Sequence, residues 1–283
     1  MPKISVLMPV YKTKEEFLRQ TIEAVLNQTY TDFEFLILDD CPEDDREAVV
    51  KSYTDKRIKY AKNEQNLGIT PSRNKLIDMA KGEYLAVLDH DDVCRSNRFA
   101  KEVEVLDNHP EIGVVSSFVH KMVADKDIKM PETSADIKVS LMMRCVVNHS
   151  AAMIRKSVLA ENHIRYDAHY SPAEDLKLWQ SLIDLTEFYN IPEVLLDYRD
   201  WAENTTRRQH DKMEKAALEL WAENEVRYPE LWRKCALTKA EYRYTIRLFN
   251  CIPFLDIRTK GRRTKAKLFG FIPLYSIKKS IKA

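Results

Sequence analysis

The sequence predicts an α/β protein: a mixed, mostly parallel sheet with helices on both faces, followed by a C-terminal helical extension. Three observations lead there. Over the first two hundred residues short apolar runs alternate with amphipathic stretches of helical period. Two of those runs stop abruptly at clusters of aspartate. From about residue 205 the strand signals fade, and residues 208–227 and 238–250 read as helices rich in Trp, Arg, Lys and Glu.

In order along the chain, residues 4–10 form a short apolar run that ends in Pro9-Val10, a buried strand reaching a loop. Over 15–28, Phe17, Leu18, Thr21, Ile22, Val25 and Leu26 recur at helical spacing and make one apolar face. Residues 33–38 are a second strand, stopping at Asp39-Asp40. A charged helix over about 43–53 and a short strand at 57–61 follow. Thr70-Pro71 starts a helix, with Thr as cap and Pro at the first helical position, and Gly82 closes it. Residues 84–88 are a third apolar strand, ending in Asp89-His90-Asp91-Asp92. In a parallel sheet ligands sit at the carboxyl ends of strands, so the two aspartate clusters are expected to share one cleft.

Composition excludes several classes. The chain has 283 residues, enough for one large domain with an appendage or two modest ones. Only five residues are Gly, and neither GxGxxG nor GxxxxGK[ST] occurs, which argues against a Rossmann dinucleotide enzyme and a P-loop ATPase. Five scattered cysteines without a CxxC pair give neither a disulfide framework nor a zinc site, and suit a reducing compartment. MPKISVLMPV is not a secretory leader, and no apolar run approaches the roughly 18 residues of a membrane span, so a cytoplasmic location is expected.

Charge is divided unevenly. The last 26 residues carry nine Lys and Arg and no acid, against a net −8 over the first 257. The tail also holds a 20-residue repeat, in which Leu248–Arg258 aligns with Leu268–Lys278; two copies are too few for a solenoid.

Five segments, SVLMPVY (5–11), LILDD (36–40), NLGITPSRN (66–74), GEYLAVLDHDD (82–92) and EDLKLW (174–179), occur in an order and spacing that resembles the family 2 glycosyltransferases of the GT-A fold. The resemblance covers roughly residues 1–205, expected to form the catalytic domain, with 1–92 as its nucleotide-binding half and 93–205 as its acceptor half. Residues 206–283 would be a helical C-terminal region with a basic, membrane-associating tail.

Chemistry and resemblance agree on several residues. Sugar transfer from a nucleotide expels a diphosphate, whose charge calls for a divalent cation, and Mn²⁺ or Mg²⁺ takes one or two protein carboxylates with the rest from phosphate and water. Asp89-x-Asp91 at a strand end supplies them. By resemblance to the DxD motif, Asp91 is the metal ligand, Asp89 faces ribose or metal, and Asp92 assists. An acid-rich turn capping the next helix is the plainer reading. Resemblance also places uracil on Asp39, with Asp40 beside it, packs Tyr11 on the base after Pro9, and sends Arg73 to base or phosphate. The usual Gly-Ser after the acid pair is Cys41-Pro42 here, a stiffer loop.

On the acceptor side an inverting transfer needs a base for the acceptor hydroxyl. In the ED motif that base is the Asp, which assigns Asp175, with Glu174 touching the acceptor. Trp179, one turn on, would pack a sugar ring beside the base or serve as plain core. His149, in Asn148-His149-Ser150, occupies a place often near the acceptor. One departure concerns Trp201, which stands two residues beyond Arg199 where relatives often carry a histidine that helps bind metal or diphosphate. Asn204, Arg207 and His210 are candidate substitutes.

The expected partners are thus a UDP-sugar donor, a glycan or lipid-linked oligosaccharide acceptor, and an anionic membrane surface met by the basic tail, with no nucleic acid. The location would be peripheral, on the inner face of the cytoplasmic membrane, as in capsule or lipopolysaccharide synthesis. Two other readings remain open on residues alone. LAVLDHDDV also fits the first motif of a haloacid-dehalogenase-type phosphatase, with Asp89 as nucleophile. A non-catalytic relative that binds glycan or scaffolds an assembly would keep the fold without the chemistry.

Overall fold

A computed structural model describes residues 1–44, 46–201, 209–239, 241–248, 252–260, 263–268 and 272–278. The chain begins with β1 (Ile4–Val10), α1 (Glu15–Leu26), β2 (Phe33–Asp39), α2 (Arg46–Lys51), β3 (Ile58–Lys62), α3 (Ile69–Met79) and β4 (Tyr84–Val87). There follow β5 (Val93–Cys94), α4 (Arg98–Asn108), β6 (Ile112–Lys121), β7 (Lys126–Ile128), α5 (Ser134–Leu141), β8 (Met153–Arg155) and α6 (Lys156–Glu161). Then come α7 (Glu174–Ser181), β9 (Glu187–Tyr198), α8 (His210–Arg227) and α9 (Pro229–Lys239). The contacts divide the chain into two compact units, Met1–Leu220 and Trp221–Ala283.

The first unit is built on one nine-stranded sheet of order β3-β2-β1-β4-β8-β6-β9-β5, with β7 beside β6. Its first four strands pair in parallel, and from β4 onward parallel and antiparallel pairs mix. Every residue of β1 and β2 is buried, the signature of central parallel strands covered on both faces. The chain steps one way from β1 to β2 to β3, then crosses back to place β4 on the far side of β1. Right-handed crossovers therefore put α1 and α2 on one face and α3 on the other. The order reverses between β1 and β4, and the crevice at such a switch point lies outside the carboxyl ends of those strands. Tyr11 and Asp89 both follow those ends.

The core packs Ile4, Val6, Met8, Phe35, Ile37, Tyr84 and Ala86 against Leu18, Ile22 and Val25 of α1 and Phe99, Val103 and Leu106 of α4. Gly82 has a different role from the expected helix stop. α3 ends at Met79 with Ala80 as its cap, and a Cβ on Gly82 would lie 2.5 Å from the Ser5 backbone nitrogen. Close approach to β1 is what requires glycine there.

The second unit corrects one expectation. Residues 238–250 do not form one helix: α9 ends at Lys239 and β10 (Glu241–Leu248) follows, then β11 (Ile252–Lys260), β12 (Arg263–Leu268) and β13 (Ile272–Lys278) in an antiparallel sheet. The reason is the period. In EYRYTIRL, Tyr242, Tyr244, Ile246 and Leu248 alternate with Arg243, Thr245 and Arg247, and β-branched and aromatic residues favour the strand. The 20-residue repeat is a hairpin made twice. The register shifts between Ile246 and Arg247 in the first hairpin and between Ala266 and Lys267 in the second, and Pro253 and Pro273 pair with Arg247 and Lys267.

The register pairs Glu241 with Lys260, Lys260 with Arg263 and Arg263 with Lys278 across the four strands.

Candidate active site

The end of β2 holds two aspartates whose oxygens are all engaged. Asp39 is fully buried; its Oδ1 accepts from the Cys41 N–H at 2.9 Å and its Oδ2 from the Tyr60 hydroxyl at 2.9 Å. Burial raises its carboxyl above the usual range against those two donors. Asp40 Oδ1 accepts from Asn63 Nδ2 and the Leu67 N–H, both at 2.8 Å, and Oδ2 from the Gly68 N–H at 2.8 Å. Gly68 has φ +87°, a left-handed turn that delivers the chain into α3. Asp40 thus pins the loop that launches α3 and aims Arg73.

Arg73 is buried and bridges two carboxylates distant in sequence. Its Nη1 donates to Glu174 Oε1 at 2.6 Å and its Nη2 to Asp89 Oδ1 at 2.9 Å. Its buried Nε has no hydrogen-bond partner among the described residues. Burial alone would raise the Asp89 carboxyl, but the Arg73 charge holds it below the usual range.

Asp91 accepts the Trp201 indole N–H on Oδ2 at 2.9 Å, and its backbone carbonyl accepts Arg199 Nε at 2.8 Å. Asp92 is fully buried instead, accepting the Arg199 backbone N–H on Oδ1 at 2.9 Å. Burial and the charges of Asp91 and Asp89 raise its carboxyl well above normal, so it serves the turn rather than the cleft. One oxygen each of Asp89 and Asp91 accepts no hydrogen bond among the described residues. Two hard oxygen donors suit Mn²⁺ or Mg²⁺, which complete their shells with phosphate and water. No group of three His, Cys, Asp or Glu that could hold a metal occurs among the described residues.

Glu174 and Asp175 open α7, where negative charge favours the helix dipole. Glu174 is buried with Oε2 unpartnered, while Asp175 is only half-buried. Burial and the neighbouring Glu174 charge push the Asp175 carboxyl up to about 6. Its Oδ1 accepts the Leu176 N–H at 2.7 Å, and the Cys145 thiol lies 3.6 Å from Oδ2. His149 meets the Tyr166 hydroxyl at 2.8 Å, and burial with the nearby Arg73 charge pushes it down to about 3, so the ring is neutral.

Trp179 requires a correction. It is fully buried, with its ring 6.0 Å from that of His149, and is core; a sugar cannot stack on it. Tyr11 sits at the rim, 41% exposed, and Pro9 is buried in β1 beside Leu38. Asn204 and Arg207 lie outside the described residues, as does the side chain of His210.

Residues that sequence reasoning missed hold the cleft in place. Arg98, fully buried, donates to the carbonyls of Val87, Ser150 and Ala152 and pairs with Glu102 Oε1 at 3.0 Å. It clamps the end of β4 to the turn that carries His149. The signal was present: Arg98 and Glu102, one turn apart, share the apolar stripe of α4 with Phe99, Val103 and Leu106. Tyr166 had no such signal.

Comparison with known proteins agrees with this geometry. Residues 5–162 match the family described as Glycosyl transferase family 2. The chain belongs to that family. It is 33% identical over 207 residues to an uncharacterized glycosyltransferase of Methanocaldococcus jannaschii, covering 70% of this chain and 71% of the relative. It is 28% identical to TuaG of Bacillus subtilis, a glycosyltransferase named for teichuronic acid biosynthesis, over 70% of this chain and 79% of that one. Among solved structures, S. aureus TarS in complex with UDP-GlcNAc superposes with TM-score 0.63 at 18% identity, over 83% of this chain and 75% of TarS. The mannosyltransferase PcManGT of Pyrobaculum calidifontis, in complex with GDP-Man and Mn²⁺, gives 0.59 at 16% over 83% and 73%. The fold is GT-A and the protein is a glycosyltransferase. The phosphatase reading of LAVLDHDDV and the non-catalytic reading both fall with that membership.

Proposed function

We propose that this glycosyltransferase is metal-dependent and inverting, that it takes a sugar from a UDP-sugar, and that it passes the sugar to a lipid-linked glycan in bacterial surface polysaccharide synthesis. The observation that carries the reading is the Asp175 carboxylate. It stands at the cleft with a carboxyl near 6, joined through Glu174 and Arg73 to Asp89 on the donor side. A base poised there is about nine-tenths ionised at pH 7 and still basic enough to take a proton in the transition state.

In this mechanism Asp175 removes the acceptor hydroxyl proton as that oxygen bonds to the anomeric carbon from the face opposite the diphosphate. The bond from carbon to phosphate oxygen breaks, and its electron pair leaves with the diphosphate. Asp91 and Asp89 would hold a divalent cation, which supplies positive charge against that leaving group. Arg73 keeps Glu174 and Asp89 paired and so limits the negative charge facing Asp175.

A UDP donor is supported by the resemblance and by the UDP-GlcNAc complex of TarS. A polysaccharide product is supported by the name of the B. subtilis relative. For the tail, adsorption to an anionic membrane is supported by the nine Lys and Arg, with no acid, of the last 26 residues, each Lys or Arg near such a surface contributing about 1 kcal/mol. No described helix is long and apolar enough to cross a bilayer.

Calorimetric titration with UDP, GDP and other nucleoside diphosphates, with and without Mn²⁺, tests the donor reading. Metal-dependent UDP binding that Asp91→Ala abolishes supports it; binding of no nucleoside diphosphate sinks it. Co-sedimentation with vesicles containing anionic lipid tests the tail: binding that survives removal of residues 240–283 refutes its role.

A further inference from the structure

Trp201 stands beside Asp91 at the end of β4, and an indole cannot ligate a metal ion. What it does is visible in its contacts. Its N–H edge donates to Asp91 Oδ2 at 2.9 Å. Its ring meets Phe17 edge-to-face, with centroids 5.4 Å apart and planes at 84°. Over both rings lies the ammonium of Lys14, 5.2 Å from the Trp201 centroid and 5.1 Å from that of Phe17.

Lys14 is badly chosen for its local position. It is the N-cap of α1, where its side chain makes no capping bond. A cation there also opposes the positive end of the helix dipole. It is exposed, and no carboxylate lies within salt-bridge distance of it among the described residues. Local rules are broken where function asks for it, and the two aromatic contacts are what Lys14 gains in return. Next to it, Lys12 is held at φ +45°, a conformation that costs a non-glycine residue about 1 kcal/mol or more. The β1–α1 turn is therefore shaped against the preferences of its own sequence, at the switch point of the sheet.

We propose that Lys14 binds the diphosphate of the donor and that Trp201 is the residue that positions it, with Asp91, for that task. The two aromatic faces hold the ammonium by cation–π attraction while leaving its N–H donors free. The indole spans from that ammonium at its face to the metal-side carboxylate at its edge. A mobile, hydrated ammonium suits a phosphate as a point charge. This inference rests on the donor reading above, and its test separates the two.

The test is binding of uridine, UMP and UDP to the full chain by calorimetry, in EDTA and in Mn²⁺, for the wild type, Lys14→Ala, Lys14→Arg and Trp201→Phe. Lys14→Ala should weaken UDP by roughly ten-fold in both conditions, leave uridine unchanged, and flatten the salt dependence of UDP binding. Lys14→Arg should recover most of the loss. Trp201→Phe, which keeps a ring but loses the N–H, should weaken UDP chiefly in Mn²⁺. It should also remove any fluorescence change that Mn²⁺ with UDP produces in the wild type. Equal UDP affinity for Lys14→Ala and wild type overturns the proposal while leaving the donor reading intact. A wild type that binds neither UDP nor GDP overturns both. Unchanged melting temperatures exclude misfolding as the cause.

Discussion

β2 and β4 flank β1 on opposite sides, and both end in consecutive or near-consecutive aspartates. At β2 every carboxylate oxygen of Asp39 and Asp40 is taken by a donor of the protein itself. At β4 Asp89 and Asp91 each give one oxygen to a neighbour, Arg73 or Trp201, and keep the other. Two similar stretches of sequence thus differ in chemistry because of what the fold brings to them. Arginine and indole donors from distant segments leave one oxygen of each carboxylate unused, while loop N–H groups with the Tyr60 hydroxyl and the Asn63 amide reach both oxygens of Asp39 and of Asp40. The lesson is that an acidic pair at a strand end is a scaffold or a site according to the oxygens left over.

Four experiments break or sharpen this comparison. The largest effect belongs to Asp175, whose carboxylate is the chemical complement of the half-used pair. Asp175→Asn should lower kcat by about 10²–10⁴-fold, with UDP affinity and melting temperature unchanged; retained turnover refutes its role as base. Next, Asp40→Ala should destabilise the fold by about 2–3 kcal/mol, because the buried Asn63 amide and the Leu67 and Gly68 N–H groups lose their shared acceptor. That is a fall in Tm of about 5–10 °C for a domain of this size. Asp91→Ala should leave Tm nearly unaltered and remove only the metal dependence of UDP binding. If the two variants melt alike, the division into scaffold and site is wrong.

The smaller effects are on pH dependence. With its carboxyl at about 6, raised by burial and then by Glu174, Asp175 must lose its proton to act. The kcat/KM of the wild type should therefore fall as pH drops through about 6. The Arg73 charge lowers the Asp175 carboxyl. Arg73→Met should move that acid limb to higher pH, and a limb that stays in place or moves down contradicts the electrostatic link between the two halves of the cleft.

Much of this site was legible in the sequence, and the limits have physical causes. Period and apolar runs located β1, β2 and β4, and the aspartates at their ends followed from the rule for parallel sheets. Asp175 was legible because acids at a helix start are common but a motif order is not. Arg73 was found as a residue but its ion pairs were not, since its partners lie 16 and 101 positions away. Trp179 misled because residues one turn apart share a face, yet Trp179 is fully buried where Asp175, one turn before it, is half-exposed. In 238–250, charge-rich composition suggested a helix, and the two-residue alternation that decides for a strand was overlooked. Nothing in the sequence around Tyr166 announces that its hydroxyl will meet His149.

The bonds that complete the cleft, Arg73 to Glu174 and Trp201 to Asp91, join residues 101 and 110 positions apart. Synthesis runs in one direction, so a ribosome exposes β1 to β4 well before the base or the indole exists. The loop entropy of bringing such distant segments together is recovered only when the late partner arrives. A nascent chain can therefore lay down β1 to β4 before Glu174 and Trp201, the partners that Arg73 and Asp91 will hold, have emerged.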